Sequence, residues 1–579
     1  MLKLYFRYLK RYSGKMVLIL LFTAIFTATT MALPTLSKSV IDGGAISGDT
    51  AQITKYAVIM LIVALISVVA GVSSNFFTSG VVMASTRDMR NSLFERVIRF
   101  SQEDENKIGT ASLISRQSKD ILTSQTIMLQ MFQMMLQAPL MCIAGILLAI
   151  STSPALSWII AVLLPLAAVT MAVAIKRTQP IFRANQRKLD RVNGVMRETL
   201  TGMRVIRAFN REGYETDRFA DVSDDLTNNV KKGYKIMNLI LPAIIFLANG
   251  SNILILGFGA DYMKKGLATY GDVQAFVQYT TMILMAFMLC SMFLMMIPNA
   301  QASAERINEV WEVKPSIVEK EDPVKLPEVG NAEISVEHVS YRFPGASQNV
   351  LTDISFSAKA GQTVAIIGGT GSGKSTLLNL LCRNIDVTEG SIKIDGVDVR
   401  DAASDDLRSH ISLVPQKAFL FAGSILENVR YGKPDATEEE VKHALDISQS
   451  SEFVDKKEYG MYTYIAQAGT NVSGGQKQRL SIARALVRKA DIYMFDDSFS
   501  ALDFKTDAKL RKELSGELKD SIMIIVAQRV STIKNADRII VLEEGKVVGD
   551  GTHDELLASN KVYREIAMSQ LSEDEVKGA

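Results

Sequence analysis

The chain of 579 residues contains little cysteine, little histidine and almost no net charge. Its three cysteines, Cys142, Cys290 and Cys382, form no disulfide or metal-binding pattern, and we interpret them as small buried hydrophobic residues. A formal net charge of +2 gives no indication of the basic surface that binds nucleic acid. These shortages argue against a disulfide-stapled fold, a cysteine-rich metal site and a nucleic acid partner.

Charged residues are also missing from five long apolar stretches in the first half of the chain. These stretches are residues 16–37, 56–86, 121–175, 236–260 and 273–304. A spanning helix needs about 20 apolar residues, and the third stretch is long enough for two, separated near Pro154. The sequence therefore predicts six membrane spans, at approximately 16–37, 56–80, 124–150, 155–176, 236–260 and 273–298.

Lysine and arginine are distributed unevenly around these predicted spans. They are concentrated before the first span, between the second and third, and after the fourth, in residues 3–15, 87–107 and 176–191. Because such residues are retained on the cytoplasmic side, we expect both termini and the polar second half of the chain in the cytoplasm. The charged start runs into a full span without a secretory cleavage site, so we expect a multi-pass membrane protein without a cleaved signal.

The cytoplasmic loops are too long to be simple turns. Amphipathic patterns after the second and fourth spans predict two helical hairpins, with tips near residues 101–110 and 203–213. Residues 1–304 would form the membrane domain, and a proline-containing, highly charged linker would follow at 305–332.

Strands and helices alternate in the rest of the chain. The pattern predicts strands at 333–343, 363–368 and 391–394, with a helix at 374–383. This rhythm is typical of an α/β domain, which we place at 333–571, before an acidic tail at 572–579.

A glycine-rich loop joins the apolar strand 363–368 to its helix. Its residues are Gly368, Gly369, Thr370, Gly371, Ser372, Gly373, Lys374, Ser375 and Thr376. Such a loop closes backbone N–H groups around phosphate at the positive end of a helix, with Lys374 on the β and γ oxygens and Ser375 on magnesium. The sequence therefore predicts a site for ATP and Mg²⁺.

Two adjacent aspartates, Asp496 and Asp497, end a later apolar strand. In a nucleotide hydrolase of this layout the first acid binds the phosphate-bound magnesium ion, and the second lies beside the attacking water. The second acid is normally glutamate, and the aspartate side chain reaches about 1.3 Å less far. Misplacement of a catalytic group by about 1 Å can lower the rate about a hundredfold. We expect a site that binds ATP well and hydrolyses it poorly.

A second motif opens another predicted helix with the residues Ser473, Gly474, Gly475 and Gln476. The free amides at such a helix start can bind an anion. This motif resembles the signature of ATP-binding cassette (ABC) transporters, and the whole chain resembles a half-transporter of the six-span exporter type. The resemblance implies a six-helix transmembrane domain followed by an α/β P-loop nucleotide-binding domain with a helical subdomain.

The same resemblance gives roles to residues outside the two motifs. Phe343 would stack on adenine, where the family usually has tyrosine. Gln416 resembles the glutamine that contacts magnesium and relays to the membrane domain, and Asp496 resembles the magnesium-binding acid. Asp503 ends a loop that would cross a dimer interface, and residues 202–209 resemble the second coupling helix of exporters.

Two positions depart from the family pattern. Asp497 stands where the catalytic base is glutamate, and Gln528 replaces the histidine of the switch segment. A neutral amide can hold a phosphate oxygen but cannot offer the proton or charge of an imidazole. None of the chain's four histidines falls in the switch segment; they are His338, His410, His443 and His553.

Both departures, Asp497 and Gln528, fall in the same half of an ATP site. In this family each ATP lies between the phosphate loop of one subunit and the signature of the other, and here the signature is intact. We therefore expect a heterodimer with a second, non-identical half-transporter that supplies its own glutamate and histidine. The alternative is a homodimer in which Asp497 serves as a weak base twice.

Apart from Lys176 at the end of the fourth, the predicted spans contain no charged residue, so a proton or sodium relay has no obvious place and we expect transport to be driven by ATP. Methionines repeat every three or four residues in the sixth span, from Met282 to Met296, which suits varied apolar shapes or ordinary helix packing. Gln130, Gln133 and Gln137 in the third span favour a lined cavity. The combination resembles heterodimeric multidrug exporters of bacterial cell membranes, and the resemblance implies export of hydrophobic or amphiphilic compounds out of the cell. Peptide, lipid or siderophore transport, or a regulatory ATP-binding subunit without transport, are the alternatives.

Overall fold

The structure is a computed structural model that describes residues 1–327, 330 and 332–570. The chain divides into two compact units. One comprises Met1–Ile98 and Ile108–Val313, and the other comprises Arg99–Lys107 and the chain from Lys314 onward. The tail predicted at 572–579 lies outside the described residues.

The first unit is helical throughout. Its helices, with α4 crossing into the second unit, are α1 Leu2–Leu9, α2 Ser13–Val40, α3 Thr50–Ile98, α4 Gln102–Ile108, α5 Thr110–Ser115, α6 Ile121–Gln130, α7 Gln137–Thr152, α8 Ser157–Thr201, α9 Met203–Ala208, α10 Glu212–Lys264 and α11 Tyr270–Glu312. Short π-helical segments interrupt or extend them at Ile41–Ala45, Arg116–Asp120 and Met131–Leu136.

In the part of the chain that the structure describes, six continuous helical segments are long and apolar enough to cross a membrane. They are Lys3–Ala45, Thr50–Ile98, Thr110–Thr152, Pro154–Thr201, Glu212–Lys264 and Tyr270–Glu312. Each predicted span lies inside one of them, and the prediction of six apolar helices ahead of an α/β domain is confirmed. The last helix continues to Glu312, into the segment that the sequence suggested as linker. Short helices α4 and α9 lie at the two expected hairpin tips.

Large apolar side chains cover much of the outside of this unit. Phe76, Phe246 and Ile253 are more than two-thirds exposed, as expected of side chains in contact with lipid. The interior includes Met31, Phe276, Tyr279 and other residues that are at most a few per cent exposed. The buried Tyr279 hydroxyl lies 2.6 Å from the Thr35 hydroxyl and donates to the Met31 carbonyl oxygen at 3.1 Å, so α2 and α11 are joined by polar as well as apolar contacts.

Charged pairs join α11 to α2 at one end and to the π-helical segment Arg116–Asp120 at the other. Lys38 Nζ lies 2.5 Å from a carboxylate oxygen of Asp272, which is only 7% exposed. At the other end Arg306 binds Asp120, which is 1% exposed, and Arg116 binds Glu309 at 2.6 Å. These pairs lie at or beyond the limits of the predicted spans, which themselves contain no paired charges.

The second unit contains two main sheets. Its strands are β1 Glu333–Tyr341, β2 Leu351–Lys359, β3 Thr363–Gly368, β4 Glu389–Ile394, β5 Val397–Asp398, β6 Ile411–Val414, β7 Gly423–Ser424, β8 Tyr464–Ile465, β9 Ile492–Asp496, β10 Ile522–Val526, β11 Arg538–Glu543 and β12 Lys546–Gly551. One sheet is antiparallel with the order β2-β1-β4-β5. The other has the order β12-β11-β3-β10-β9-β6, in which all pairs are parallel except β11 with β12.

Helices cover both faces of the larger sheet. They are α12 Lys374–Leu381, α13 Ser404–His410, α14 Ile425–Arg430, α15 Glu438–Ile447, α16 Ser451–Val454, α17 Gly474–Leu486, α18 Phe504–Glu517, α19 Val530–Ile533, α20 His553–Ser559 and α21 Lys561–Met568. One core packs α12 between the two sheets, and a second packs α18 and α21 on the opposite face. A third core within residues 420–487 forms a separate helical subdomain.

The segment Arg99–Lys107 belongs to the second unit although it lies between two membrane helices in the sequence. The Asp104 carboxylate is completely buried and accepts a hydrogen bond from the Ser316 backbone N–H at 3.0 Å. Burial disfavours its charge, but bonds from Ser316, Lys107 and Ser101 hold its pKa below the usual value. The loop between the second and third spans is thereby fixed to the start of the soluble domain.

Candidate nucleotide-binding site

The predicted site residues meet at one edge of the larger sheet. The strands β3, β10, β9 and β6 are parallel neighbours, so their carboxyl ends lie side by side. The phosphate loop follows β3, the acidic pair ends β9, and Gln416 and Gln528 lie just beyond β6 and β10. Ligands of open α/β sheets bind at this carboxyl edge.

The phosphate loop has the backbone that its glycines permit. Gly371 and Gly373 have φ values of 83° and 98°, a region in which other residues are strained. An added Cβ on Gly368 would come within 2.2 Å of the Leu542 carbonyl oxygen, whereas Gly369 has open space around it. Gly369, Thr370 and Gly371 are exposed at the crest of the loop, and Ser372 is buried beneath it. The loop therefore presents an open backbone surface, as a phosphate group requires.

Lys374 begins α12 with its side chain folded over the loop. Its ammonium group donates to the carbonyl oxygens of Gly368 and Gly369, both at 2.8 Å. Burial lowers the pKa of Lys374, while the negative charges of Asp496 and Asp497 oppose that shift. The ammonium group also lies 3.5 Å from the Ser372 hydroxyl, so its partners among the described residues are neutral oxygens. It is well suited to bind the β and γ oxygens of a nucleotide.

The oxygens expected to bind magnesium are also close together. Ser375 Oγ lies 3.5 Å from a carboxylate oxygen of Asp496. Burial raises the pKa of that carboxyl group, and the neighbouring Asp497 adds to the rise. Among the described residues no three His, Cys, Asp or Glu side chains are grouped as a metal site. This donor set fits Mg²⁺, which takes few protein oxygens and completes its shell with phosphate and water.

The second acid is held by two amides. Gln528 Nε2 lies 3.3 Å and Gln416 Nε2 3.5 Å from the same carboxylate oxygen of Asp497. The Asp497 backbone has a φ of 46°, in the left-handed region, and its N–H donates to the Val526 carbonyl oxygen at 2.8 Å. Both sequence departures, Asp497 and Gln528, therefore contact each other directly.

Gln570, which belongs to none of the motifs, forms hydrogen bonds with the backbone of the switch segment. The side chain of Gln570 donates to the Gln528 carbonyl oxygen at 2.8 Å and accepts from the Val530 N–H at 2.9 Å. Gln570 follows α21, far from every motif in the sequence, and no local pattern distinguishes it. The contact fixes the backbone on both sides of Arg529.

The signature motif forms the start of α17. Ser473 is its N-cap: the hydroxyl accepts from the Gln476 N–H at 3.3 Å, and Gln476 Oε1 accepts from the Ser473 N–H at 3.0 Å. Gly474 has open space around it, whereas a Cβ on Gly475 would meet the Ala501 carbonyl oxygen at 3.1 Å. Within the described residues no hydrogen bond or ion pair joins the signature to the phosphate loop. The residues predicted to hold the phosphates and magnesium are therefore grouped together at the sheet edge, without the signature among their hydrogen-bond partners.

Two other predicted residues lie away from the carboxyl edge of the larger sheet. Phe343 lies beyond β1, is 46% exposed and packs edge-on against Tyr341 with ring centroids 5.0 Å apart. Asp503 caps α18 by accepting from the Thr506 N–H at 2.9 Å, which lowers the pKa of the Asp503 carboxyl group. Their contacts with adenine and with a partner subunit stay predictions.

Comparison with known proteins agrees with both halves of this description. Residues 16–287 match the family described as ABC transporter transmembrane region, and residues 351–500 match the one described as ABC transporter. The protein named "Uncharacterized ABC transporter ATP-binding protein Rv1273c" of Mycobacterium tuberculosis is 38% identical over 568 residues, covering 97% of each chain. The protein named "Probable multidrug resistance ABC transporter ATP-binding/permease protein YheI" of Bacillus subtilis is 34% identical over 402 residues, covering 69% of this chain and 68% of that one.

A solved structure shares the fold along nearly the whole chain. It is described as a bacterial Atm1-family ABC exporter with ATP bound, and it superposes with a TM-score of 0.81 at 23% sequence identity. The superposition covers 97% of this chain and 98% of that one.

Proposed function

The chain belongs to the ABC transporters, and from that membership we propose that it is the degenerate-site subunit of a heterodimeric exporter of hydrophobic or amphiphilic compounds. It combines an exporter-type membrane region and an ATP-binding domain in one multi-pass polypeptide. Both termini and the ATP-binding domain would lie in the cytoplasm, as the distribution of lysine and arginine indicates.

The contact of Asp497 with Gln528 and Gln416 carries the proposal. A general base must reach the attacking water and must accept its proton. The Asp497 side chain is one methylene shorter than glutamate, and its oxygen faces two amide donors, at 3.3 Å and 3.5 Å. Both features hold the carboxylate back from a water above the γ-phosphate. ATP would be bound at this half-site with little hydrolysis.

The signature supports a different role for the same chain. Ser473, Gly474 and Gly475 form a regular, capped helix start whose free N–H groups can receive a γ-phosphate. Such a surface is useful only to a second subunit that contributes its own phosphate loop. We therefore infer that this chain completes the catalytic site of a non-identical partner, where most ATP would be hydrolysed.

The nature of the cargo follows from the membrane unit and a relative. Apart from Lys176 at the cytoplasmic end of the fourth, the predicted spans carry no charged side chain, so a strongly charged solute would have no fixed counter-ion within them. The YheI relative is named for multidrug resistance. Both observations favour uncharged or amphiphilic apolar compounds, with lipids as the nearest alternative.

Nucleotide trapping tests the division of labour. The full chain and its partner half-transporter are purified together, loaded with photoreactive azido-ATP labelled on its γ-phosphate, washed and cross-linked. Because the label is lost on hydrolysis, we expect it on this chain's phosphate loop and little on the partner's. Equal loss of label from both subunits would contradict the proposal, as would brisk ATP hydrolysis by this chain alone.

Transport itself needs a separate measurement. Lys374→Ala should remove ATP from this half-site and reduce ATP-driven dye efflux from inverted vesicles to a few per cent. Lys442, an exposed lysine of α15, provides the matched control as Lys442→Ala. Unchanged efflux with Lys374→Ala would favour a regulatory subunit without transport.

A further inference from the structure

A small polar cavity lies among the first three membrane helices, and its depth can be placed. Its volume is about 80 Å³, and its lining comes from α2, α3 and the third span around Phe132. By a rise of about 1.5 Å per residue, Thr23, Asn75 and Gln133 lie about 8–14 Å from the expected cytoplasmic ends of their spans. In a hydrocarbon core about 30 Å thick, the cavity belongs to the cytoplasmic half.

The lining is polar but carries no formal charge. Thr23 and Ser74 share a hydrogen bond of 2.8 Å, and Gln133 Nε2 donates to Asn75 Oδ1 at 3.2 Å. The Asn75 amide nitrogen and the Gln133 amide oxygen have no partner elsewhere in the described part of the chain. Asn75 and Gln133 are exposed at the mouth of the cavity on this chain. Amide groups facing hydrocarbon are costly, so we expect a polar occupant beside them.

Thr78 is the clearest sign of such an occupant. Its side chain lines the cavity and is only 2% exposed, yet its hydroxyl makes no hydrogen bond to any described residue. Threonines in helices usually donate to the carbonyl oxygen four residues earlier, and Thr86 of the same helix does so to Val82 at 2.8 Å. Thr78 therefore holds an unused donor and acceptor inside a polar cavity.

The third span is irregular at the same place. The π-helical segment Met131–Leu136 contains Phe132 and Gln133, which both line the cavity. Such wide turns occur mostly as single insertions and frequently at functional sites. Across from it, Gly71 lets the ring of Phe26 approach to 3.0 Å of where a Cβ would lie, so the aromatic wall is tightly placed.

We propose that this cavity binds the uncharged hydrogen-bonding group, an amide or hydroxyl, of an amphiphilic transport substrate. The inference rests on the function proposed above. At about 80 Å³ the cavity is far smaller than the roughly 300–1,000 Å³ of a pocket for a whole drug, so it suits only the polar end of a molecule. The apolar remainder of the substrate would extend along the aromatic side chains.

The test uses two fluorescent probes that differ in one group. One is a pyrene with an alkyl chain that contains a secondary amide, and the other has a plain alkyl chain of equal length. Binding to the full heterodimer in lipid nanodiscs is compared with binding to empty nanodiscs. Thr78→Val removes the hydroxyl without changing the side-chain shape, and Thr86→Val is the matched control in the same helix.

We expect Thr78→Val to weaken binding of the amide probe about tenfold, the effect of one lost hydrogen bond, and to leave the alkyl probe unchanged. Thr86→Val should change neither. An unaltered preference for the amide in Thr78→Val would overturn the proposal. So would equal binding of both probes by the unsubstituted protein, which is expected if the partner's side chains fill the cavity.

The two proposals fail differently. If the nanodisc preference depends on Thr78 but ATP drives no probe across vesicles, the binding site stands and the exporter function falls. If ATP drives transport and Thr78→Val has no effect on probe selection, the exporter function stands and the site falls.

Discussion

Gln528 donates its side-chain amide to the carboxylate of Asp497 across 3.3 Å, and so the two unusual residues of the ATP site form one contact. A substitution at either position therefore acts on both. The relationship explains why a single restored residue would be less effective than a restored pair.

Restoring the pair should restore hydrolysis at this half-site. In Asp497→Glu/Gln528→His the carboxylate gains about 1 Å of reach and loses the amide of Gln528 as a hydrogen-bond donor. We therefore expect ATP turnover at this half-site to rise about a hundredfold. Release of γ-phosphate from the trapped nucleotide on this chain measures it. Asp497→Glu alone should give a smaller gain, and Asp497→Asn should give none. No gain in the double variant would mean that the limiting defect lies in the partner's signature.

Substitutions of Ser473 can distinguish its role as the N-cap of α17 from a role in binding an anion. Ser473→Asp keeps a good N-cap but places a negative charge where a γ-phosphate would bind, whereas Ser473→Ala loses the cap at a cost of about 1 kcal/mol. We expect Ser473→Asp to retain the melting temperature and abolish hydrolysis by the heterodimer. Ser473→Ala should melt earlier and keep partial hydrolysis. Full activity in Ser473→Asp would exclude an anion contact at this helix start.

The ion pair between Lys38 and Asp272 should matter for stability more than its two charges suggest. Lys38→Met leaves the nearly buried Asp272 without its partner, and we expect a loss of about 2–3 kcal/mol because a third of the lysine side chain is exposed to solvent. In Lys38→Met/Asp272→Asn the unpaired charge is gone, so most of the stability should return. Thermal unfolding in detergent measures both. A double variant no better than the single one would show that the pair itself is not the cause.

Cys382 should resist thiol reagents in the folded protein. It follows α12, is 7% exposed, and burial raises the pKa of its thiol to about 12. At pH 8 the reactive thiolate would then be about one part in ten thousand, far below an ordinary cysteine. After Cys142 and Cys290 are replaced by alanine, maleimide labelling should be negligible until the domain unfolds. Rapid labelling of the native protein would show that the helix behind the phosphate loop opens.

Local patterns in the sequence were enough to predict much of the architecture. The strand at 363–368 and the helix start at Lys374 coincide with the structure, because an apolar run, glycines and a helix start are all local signals. The six spans were predicted from apolar length alone, and their helices extend well beyond the predicted limits of the spans. The parallel order of the strands then explains why separate motifs reach one edge.

Contacts between distant residues could not be predicted in this way. Asp272 and Lys38, or Gln570 and Gln528, are paired by the packing of whole helices, and nothing near them in the sequence indicates it. The unbonded hydroxyl of Thr78 could not be predicted either, because Thr86 in the same helix is also threonine and its hydroxyl does bond the Val82 carbonyl oxygen. The role of Phe343 needs a bound nucleotide, those of Asp503 and the signature need a second subunit, and all three stay predictions.

The grouping of Arg99–Lys107 with the soluble half changes how that half is attached. The polypeptide crosses between the two units three times, after Ile98, after Lys107 and after Val313. A fragment that starts at Lys314 would lack Asp104 and leave the Ser316 N–H without its acceptor. The second unit is therefore connected to the first through three points of the polypeptide. Cleavage of the final linker alone would leave Arg99–Lys107 covalently joined to the membrane helices on both sides.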